Sequence, residues 1–212
     1  MTNIYLIRHG QSEGNLKRRF LGHTDLDLTE LGHAQAEKTA EYLKDIEVDV
    51  IYASDLKRAY NTGLHTAEKK GKEIIKSPLL REIWAGDWEN QPFTIIETVY
   101  DKDYSVWRTD TGHACCTNGE SVAALYERIV GEITRIAEEN EGKTVFIFTH
   151  ATPIRVFRAS VDGVGLDGMK ELPWATNASV THVEYEKGKF TLVEYGKDDF
   201  LSGIVTALPK NV

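Results

Sequence analysis

The sequence predicts an α/β protein: a three-layer α/β/α sandwich with a mostly parallel sheet and an antiparallel hairpin at one edge. Three observations predict it. Short apolar runs at Asn3–Ile7, Val48–Ala53, Glu73–Lys76 and Thr144–Thr149 alternate with helix-patterned stretches, and that rhythm gives parallel strands covered on both faces. Two alternating runs, Val180–Glu186 and Lys189–Glu194, flank Lys187-Gly188 as a hairpin would. The length, 212 residues, suits one such domain (1–212) carrying a lid-like insertion at about 79–118.

Each element has its own signal. Thr29 caps a helix whose apolar positions Leu31, Ala34, Ala36, Ala40 and Leu43 run to about Asp45. Ser54 or Asp55 caps the next, through Leu56, Ala59, Leu64 and Ala67, and Gly71 ends it. Pro78 stops the third strand, and Leu79–Asn90 lacks periodicity and reads as a loop. Phe93–Trp107 reads as one aromatic helix and His113–Asn118 as a loop. Gly119-Glu120-Ser121 opens a long helix to about Asn140, and a further helix starts with Pro153 at its first position.

Composition narrows the function. A net charge of −8 and a pI near 5.4 disfavour nucleic-acid and anionic-membrane partners, yet leave room for a local cationic pocket. Met1-Thr2-Asn3 leads straight into the first strand without a signal-peptide pattern. No apolar run approaches the roughly 20 residues of a membrane-spanning helix. Cys115 and Cys116 are adjacent, a strained pairing that gives no sign of an oxidising compartment. The expected location is cytoplasmic. A homo-oligomer is left open.

The chemistry sits at strand ends, where ligands bind in open α/β sheets. The first strand delivers Arg8-His9-Gly10 and the fourth delivers His150, followed by Ala151 at a helix start. Asn15 follows the first strand, Arg58 the second and Glu82 the third. Phosphoryl transfer to histidine needs a neutral imidazole, donors for the equatorial oxygens and an acid for the leaving oxygen. His9 suits the first role, Arg8, Arg58, Asn15 and His150 the second, and Glu82 the third. Glu82 has to be partly desolvated for that role, with Trp84 as the expected neighbour. His113 with Cys115 and Cys116 lacks a fourth ligand at metal-site spacing, so no metal is expected.

Leu6-Ile7-Arg8-His9-Gly10-Gln11-Ser12-Glu13-Gly14-Asn15 resembles the signature of the histidine phosphatase superfamily, in its cofactor-dependent phosphoglycerate mutase branch. Asp25 with Leu28-Thr29-Glu30-Leu31-Gly32, Ser54 with Arg58-Ala59, Arg81-Glu82-Ile83 with Gly86-Asp87-Trp88-Glu89, Gly119-Glu120-Ser121 and Asn177-Ala178-Ser179-Val180 are similar to its later motifs, in order. The resemblance implies the phosphoglycerate mutase-like fold and a phosphohistidine at His9. It implies Glu82 as proton donor, phosphate binding by Arg8, Arg58 and His150, and neither metal nor other cofactor.

Two departures bear on the substrate. Ala151 stands where the family commonly has glycine, and Leu21 precedes Gly22 where a polar residue is usual. Leu21, Gly22, Trp84, Asn15 and Ala151 are the candidate substrate contacts. Segment 93–118 sets Glu97, Asp101, Asp103 and Asp110 against Lys102 and Arg108, a sign that suits a twice-phosphorylated acid poorly. Its Phe93, Tyr100, Tyr104 and Trp107 suit a lid over an organic body. The expected function is therefore metal-independent hydrolysis of a small-molecule phosphomonoester. A cofactor-dependent phosphoglycerate mutase, a non-catalytic phosphate-ligand-binding protein and a zinc hydrolase are the rivals.

Overall fold

The structure, a computed structural model, describes residues 1–207; the end of the expected domain, 208–212, lies outside the described residues. In chain order its elements are β1 (Thr2–Arg8), α1 (Glu13–Leu16), α2 (Glu30–Tyr42), β2 (Val50–Ala53), α3 (Lys57–Lys70), β3 (Ile74–Lys76), α4 (Phe93–Val99), α5 (Asp101–Thr109), α6 (Val122–Glu139), β4 (Thr144–Thr149), α7 (Ala151–Val161), α8 (Gly165–Gly168), β5 (Val180–Glu186) and β6 (Lys189–Lys197). Short 3₁₀ turns join several of them.

The six strands form one sheet in the order β3-β2-β4-β1-β5-β6. The first four are parallel, and β5 and β6 run antiparallel at the edge. Side-chain alternation sorts the two faces. Ile4, Leu6, Val145 and Ile147 join a core with Ile129, Ile133 and Ile136 of α6 and Val156 and Phe157 of α7. Ile7, Phe146 and Phe148 point the other way, into a core with Leu43 and Ala67 beside α2 and α3. Pairing Arg8 with Thr149 puts the carboxyl ends of β1 and β4 side by side. His9 and His150 follow them.

Three local readings are corrected. The residue before α3 is Leu56, which supplies no side-chain cap; Ser54 and Asp55 are engaged elsewhere. The expected helix over Phe93–Trp107 breaks at Tyr100, where ψ turns to 36°, so it is two helices meeting at an angle. Pro153 is the third residue of α7, still within the first turn, where a missing N–H costs nothing.

The lid segment is held by an aromatic hub. Trp88 is fully buried; its ring lies 5.5 Å from Phe20, 5.8 Å from Tyr104 and 6.1 Å from Trp107, each edge to face. Its indole N–H donates to Thr117 Oγ1 at 3.1 Å. The hub thus fastens α5 to the chain that follows β3. Trp88→Ala empties it and should cost about 3–5 kcal/mol, read as a lower urea midpoint.

Candidate active site

His9 follows β1 directly and is buried, and its Nδ1 lies 2.7 Å from the carbonyl of Gly10. A carbonyl only accepts, so Nδ1 carries the proton and Nε2 keeps its lone pair. Burial, then Arg58 and Arg8, hold the imidazole well below its ordinary pKa. His9 is neutral at pH 7.

His150 is fully buried with its ring 5.2 Å from that of His9. Its Nε2 lies 2.9 Å from Ser54 Oγ, and that hydroxyl accepts from the Leu56 N–H at 3.4 Å. The hydroxyl can donate to Nε2 or accept from it; when it donates, the ring proton lies on Nδ1. Burial and the neighbouring Arg58 hold His150 neutral as well.

Arg8 and Arg58 flank the pair, both buried. Backbone carbonyls take some of their protons: Ala175 at 2.6 Å for Arg8, and Gly22 at 2.7 Å and Thr24 at 2.9 Å for Arg58. Burial pulls each guanidinium down to about 10, and both stay charged at pH 7. Of the five buried side-chain polar atoms without a partner among the described residues, three belong to this cluster: Arg8 Nε, Arg58 Nε and His150 Nδ1. Buried polar atoms are nearly always satisfied, and the clustering of three such atoms in the residues beside His9 marks a polar binding surface.

Glu82 is 7% exposed. Its Oε1 accepts from the Ile83 N–H at 2.8 Å and Oε2 from the Thr152 N–H at 3.2 Å. Burial raises its pKa over the opposing pull of these bonds and of Arg58. The first turn of α7 thus spends one of its free N–H groups on Glu82. The other carboxylates near it are committed elsewhere. Glu89 accepts from the His23, Thr24 and Ala85 N–H groups, Asp87 from Asn118, and Asp55 from Arg81 through two bonds.

These groups open into one cavity. Arg8, His9, Arg58, Glu82, Asn15, Ala151 and Leu21 all line it, whereas His150 sits behind its surface beside His9. Asn15 Oδ1 accepts from Ser12 N and Oγ and from Asn177 Nδ2, which leaves its own N–H donors for a ligand. Two candidate contacts fall outside. Gly22 backs Arg58 with its carbonyl; a Cβ there would stand 2.5 Å from the carbonyl oxygen of Ile83. Trp84 is 49% exposed and lines a separate shallow groove with His23 and Cys115, so the desolvation of Glu82 comes from its buried position instead. Ser12, Arg19, Phe20, Thr152 and Trp174 also line the cavity. Neither Arg19 nor Trp174 is among the substrate contacts expected from the sequence. Among the described residues no three of His, Cys, Asp and Glu converge as metal ligands. His113 instead faces Asp110 and Asp167.

A neutral imidazole pair framed by buried guanidiniums at parallel strand ends defines an enzyme that handles phosphoryl groups. The chain belongs to the histidine phosphatase superfamily (branch 1), whose family profile matches residues 4–198. It is 34% identical over 166 residues to phosphoserine phosphatase 1 of Hydrogenobacter thermophilus, covering 78% of this chain and 79% of that protein. It is 28% identical over 166 residues to the adenosylcobalamin/alpha-ribazole phosphatase of Escherichia coli K12, covering 78% and 82%. The solved structure of Bacillus stearothermophilus YhfR superposes with a TM-score of 0.90 at 29% identity, over 95% of this chain and all of that one. The chain is a phosphoric monoester hydrolase of this family.

The imidazole assignments are checked by ring ¹⁵N NMR. At pH 6.5, where an exposed histidine is about half protonated, His9 should show a protonated Nδ1 and a bare Nε2. A cationic ring would contradict the geometry. Because both histidines are depressed in the fold, the unfolded chain protonates first, and acidification below about pH 6.5 should lower stability.

Proposed function

We propose that the chain is a metal-independent phosphomonoesterase acting through a phosphohistidine at His9. The observation that carries this reading is the set of orphaned donors around His9. They fit the equatorial oxygens of a phosphoryl group, with Asn15 as a further donor.

In the first step His9 Nε2 attacks phosphorus and the bond to the leaving oxygen breaks. Protonated Glu82 gives that oxygen its proton, so the alcohol departs neutral. In the second step Glu82, now a carboxylate, takes a proton from water as the water attacks phosphorus. The P–N bond breaks, its electron pair returns to Nε2, and inorganic phosphate leaves. Arg8, Arg58 and the Nδ1–H of His150 hold the charge of the transferring group in both steps. Burial of Glu82 raises its pKa and so favours the protonated form that the first step uses.

The cavity beyond this cradle is walled by Phe20, Leu21, Phe93, Trp107 and Trp174. Trp174 is clamped between the Arg155 guanidinium at 4.2 Å and the Trp107 ring at 6.4 Å. Such a wall favours a flat or apolar body. Glu82 is the one carboxylate among the lining residues, so an ammonium group on the body would find repulsion rather than a partner. Outside the cradle only Arg19 lines the cavity as a cation, which favours hydrolysis over a mutase cycle on a bisphosphorylated ligand. The cytoplasm is the setting we infer, where Cys115 and Cys116 stay free thiols.

Phosphate release should be fastest with aryl phosphates and slower with phosphoserine and 3-phosphoglycerate, and His9→Ala should bring release to background. Activity that survives His9→Ala sinks the phosphohistidine. Glu82→Gln should lower kcat/KM by about 10²–10³-fold on alkyl phosphates, and less on 4-nitrophenyl phosphate, whose leaving group needs no proton. In the wild type kcat/KM should fall as pH rises through the raised pKa of Glu82. An equal loss on both substrate types would remove Glu82 from the acid role.

A further inference from the structure

Behind the aromatic wall of the cavity lies a buried cation that the reaction does not use. Arg155 of α7 is 4% exposed and is not among the residues that line the cavity. Among the described residues no carboxylate pairs with it. Its Nε donates to the carbonyl of Leu172 at 3.0 Å, its Nη2 to that of Met169 at 3.0 Å and its Nη1 to Thr111 Oγ1 at 3.4 Å. The guanidinium lies 4.2 Å from the ring of Trp174, which does line the cavity. The Trp174 indole makes no hydrogen bond among the described residues, so its setting comes from packing, against Arg155 and against the Trp107 ring at 6.4 Å. The next residue, Ala175, gives its carbonyl to Arg8 at 2.6 Å. One strap of chain thus carries both a piece of the wall and a support of the cradle.

We propose that Arg155 is a positioning residue for substrate selection: it holds Trp174 as a wall of the cavity and so sets the preference for a flat body, without touching that body. A guanidinium is planar and its donors lie in the plane. Bonds to the carbonyls of Met169 and Leu172 therefore fix that plane, and the plane fixes the indole against its face. The Leu172 carbonyl stands two residues before Trp174, so one group holds both the backbone and the side chain. The bond to Thr111 reaches the lid as well, because Thr111 Oγ1 donates to the carbonyl of Trp107 at 2.8 Å. Arg155 is in this way joined to both tryptophans of the wall. Methionine in its place fills much of the space, but it leaves the carbonyls without donors and the indole without a rigid neighbour.

The inference rests on the reading that this wall receives the substrate body, and its test separates the two. The quantity measured is the ratio of kcat/KM for 2-naphthyl phosphate to that for phenyl phosphate, esters with leaving groups of similar acidity and different flat area. The wild type should favour the naphthyl ester by about 2- to 10-fold, the scale of one aromatic contact. Trp174→Leu should bring the ratio to about one, and Arg155→Met, shown by circular dichroism to be folded, should lower it by about half or more. The double variant should match Trp174→Leu alone, because both residues act through one ring. A wild-type ratio at or below one, or a preference that survives Trp174→Leu, removes the wall and the inference with it. A preference that Trp174→Leu abolishes and folded Arg155→Met keeps overturns the role of Arg155 alone; that is the result if the guanidinium only stabilises the strap and its loss slows both esters alike. A double variant in which the two losses multiply overturns it too. If Arg155→Met fails to fold, Arg155→Lys decides. Lysine keeps the charge without the flat face, so its ratio should also fall by about half, and a folded Arg155→Lys with the wild-type ratio overturns the proposal.

Discussion

Two guanidinium groups, Arg8 and Arg58, lie buried against two imidazoles, and among the described residues neither is ion-paired. Burying unpaired charge is expensive, and much of the surrounding structure answers that cost. Backbone carbonyls of Ala175, Gly22 and Thr24 turn inward to receive the guanidinium protons. Gly22 has no side chain because Glu89, Ile83 and Ala85 crowd the space where one would stand. The compensation is incomplete: Arg8 Nε and Arg58 Nε have no partner among the described residues, and they are the donors we propose for a phosphoryl group.

The same cluster sets the protonation states that the chemistry needs. Positive charge and burial act together on His9 and His150, so both rings stay neutral. On Glu82 they oppose each other, and burial prevails. One environment therefore keeps both imidazoles neutral and raises the pKa of the carboxyl, the combination that the proposed reaction uses. Local geometry then refines the choice: the Gly10 carbonyl selects the Nδ1–H tautomer at His9.

Around this polar floor the lid adds an apolar wall by packing rather than by charge. Trp88 ties Phe20, Tyr104 and Trp107 together from behind, and Arg155 braces Trp174 from the far side while bonding the carbonyls of Met169 and Leu172. The relatives named for phosphoserine and alpha-ribazole phosphate share the family's frame, and in our proposal this wall is what selects the substrate body.

The strands, their order of appearance and the strand-end placement of Arg8, His9, Arg58, Glu82 and His150 were legible in the sequence. Apolar runs that alternate with helical patterns leave few topologies, and strand ends are where those topologies expose polar groups. Glu82 could be named, but the source of its burial could not: Trp84 is its neighbour in sequence and turns to solvent, while Thr152, distant in sequence, comes to bond it. The break at Tyr100 was hidden because both helices share an aromatic pattern, and periodicity carries no information on the angle between successive turns. Trp174, Arg19 and the stacking of Arg155 on Trp174 likewise belong to the tertiary structure alone. Each depends on which segments meet in space, and that is decided by packing among residues distant in sequence, such as Arg8 and Ala175, 167 positions apart, rather than by any local pattern.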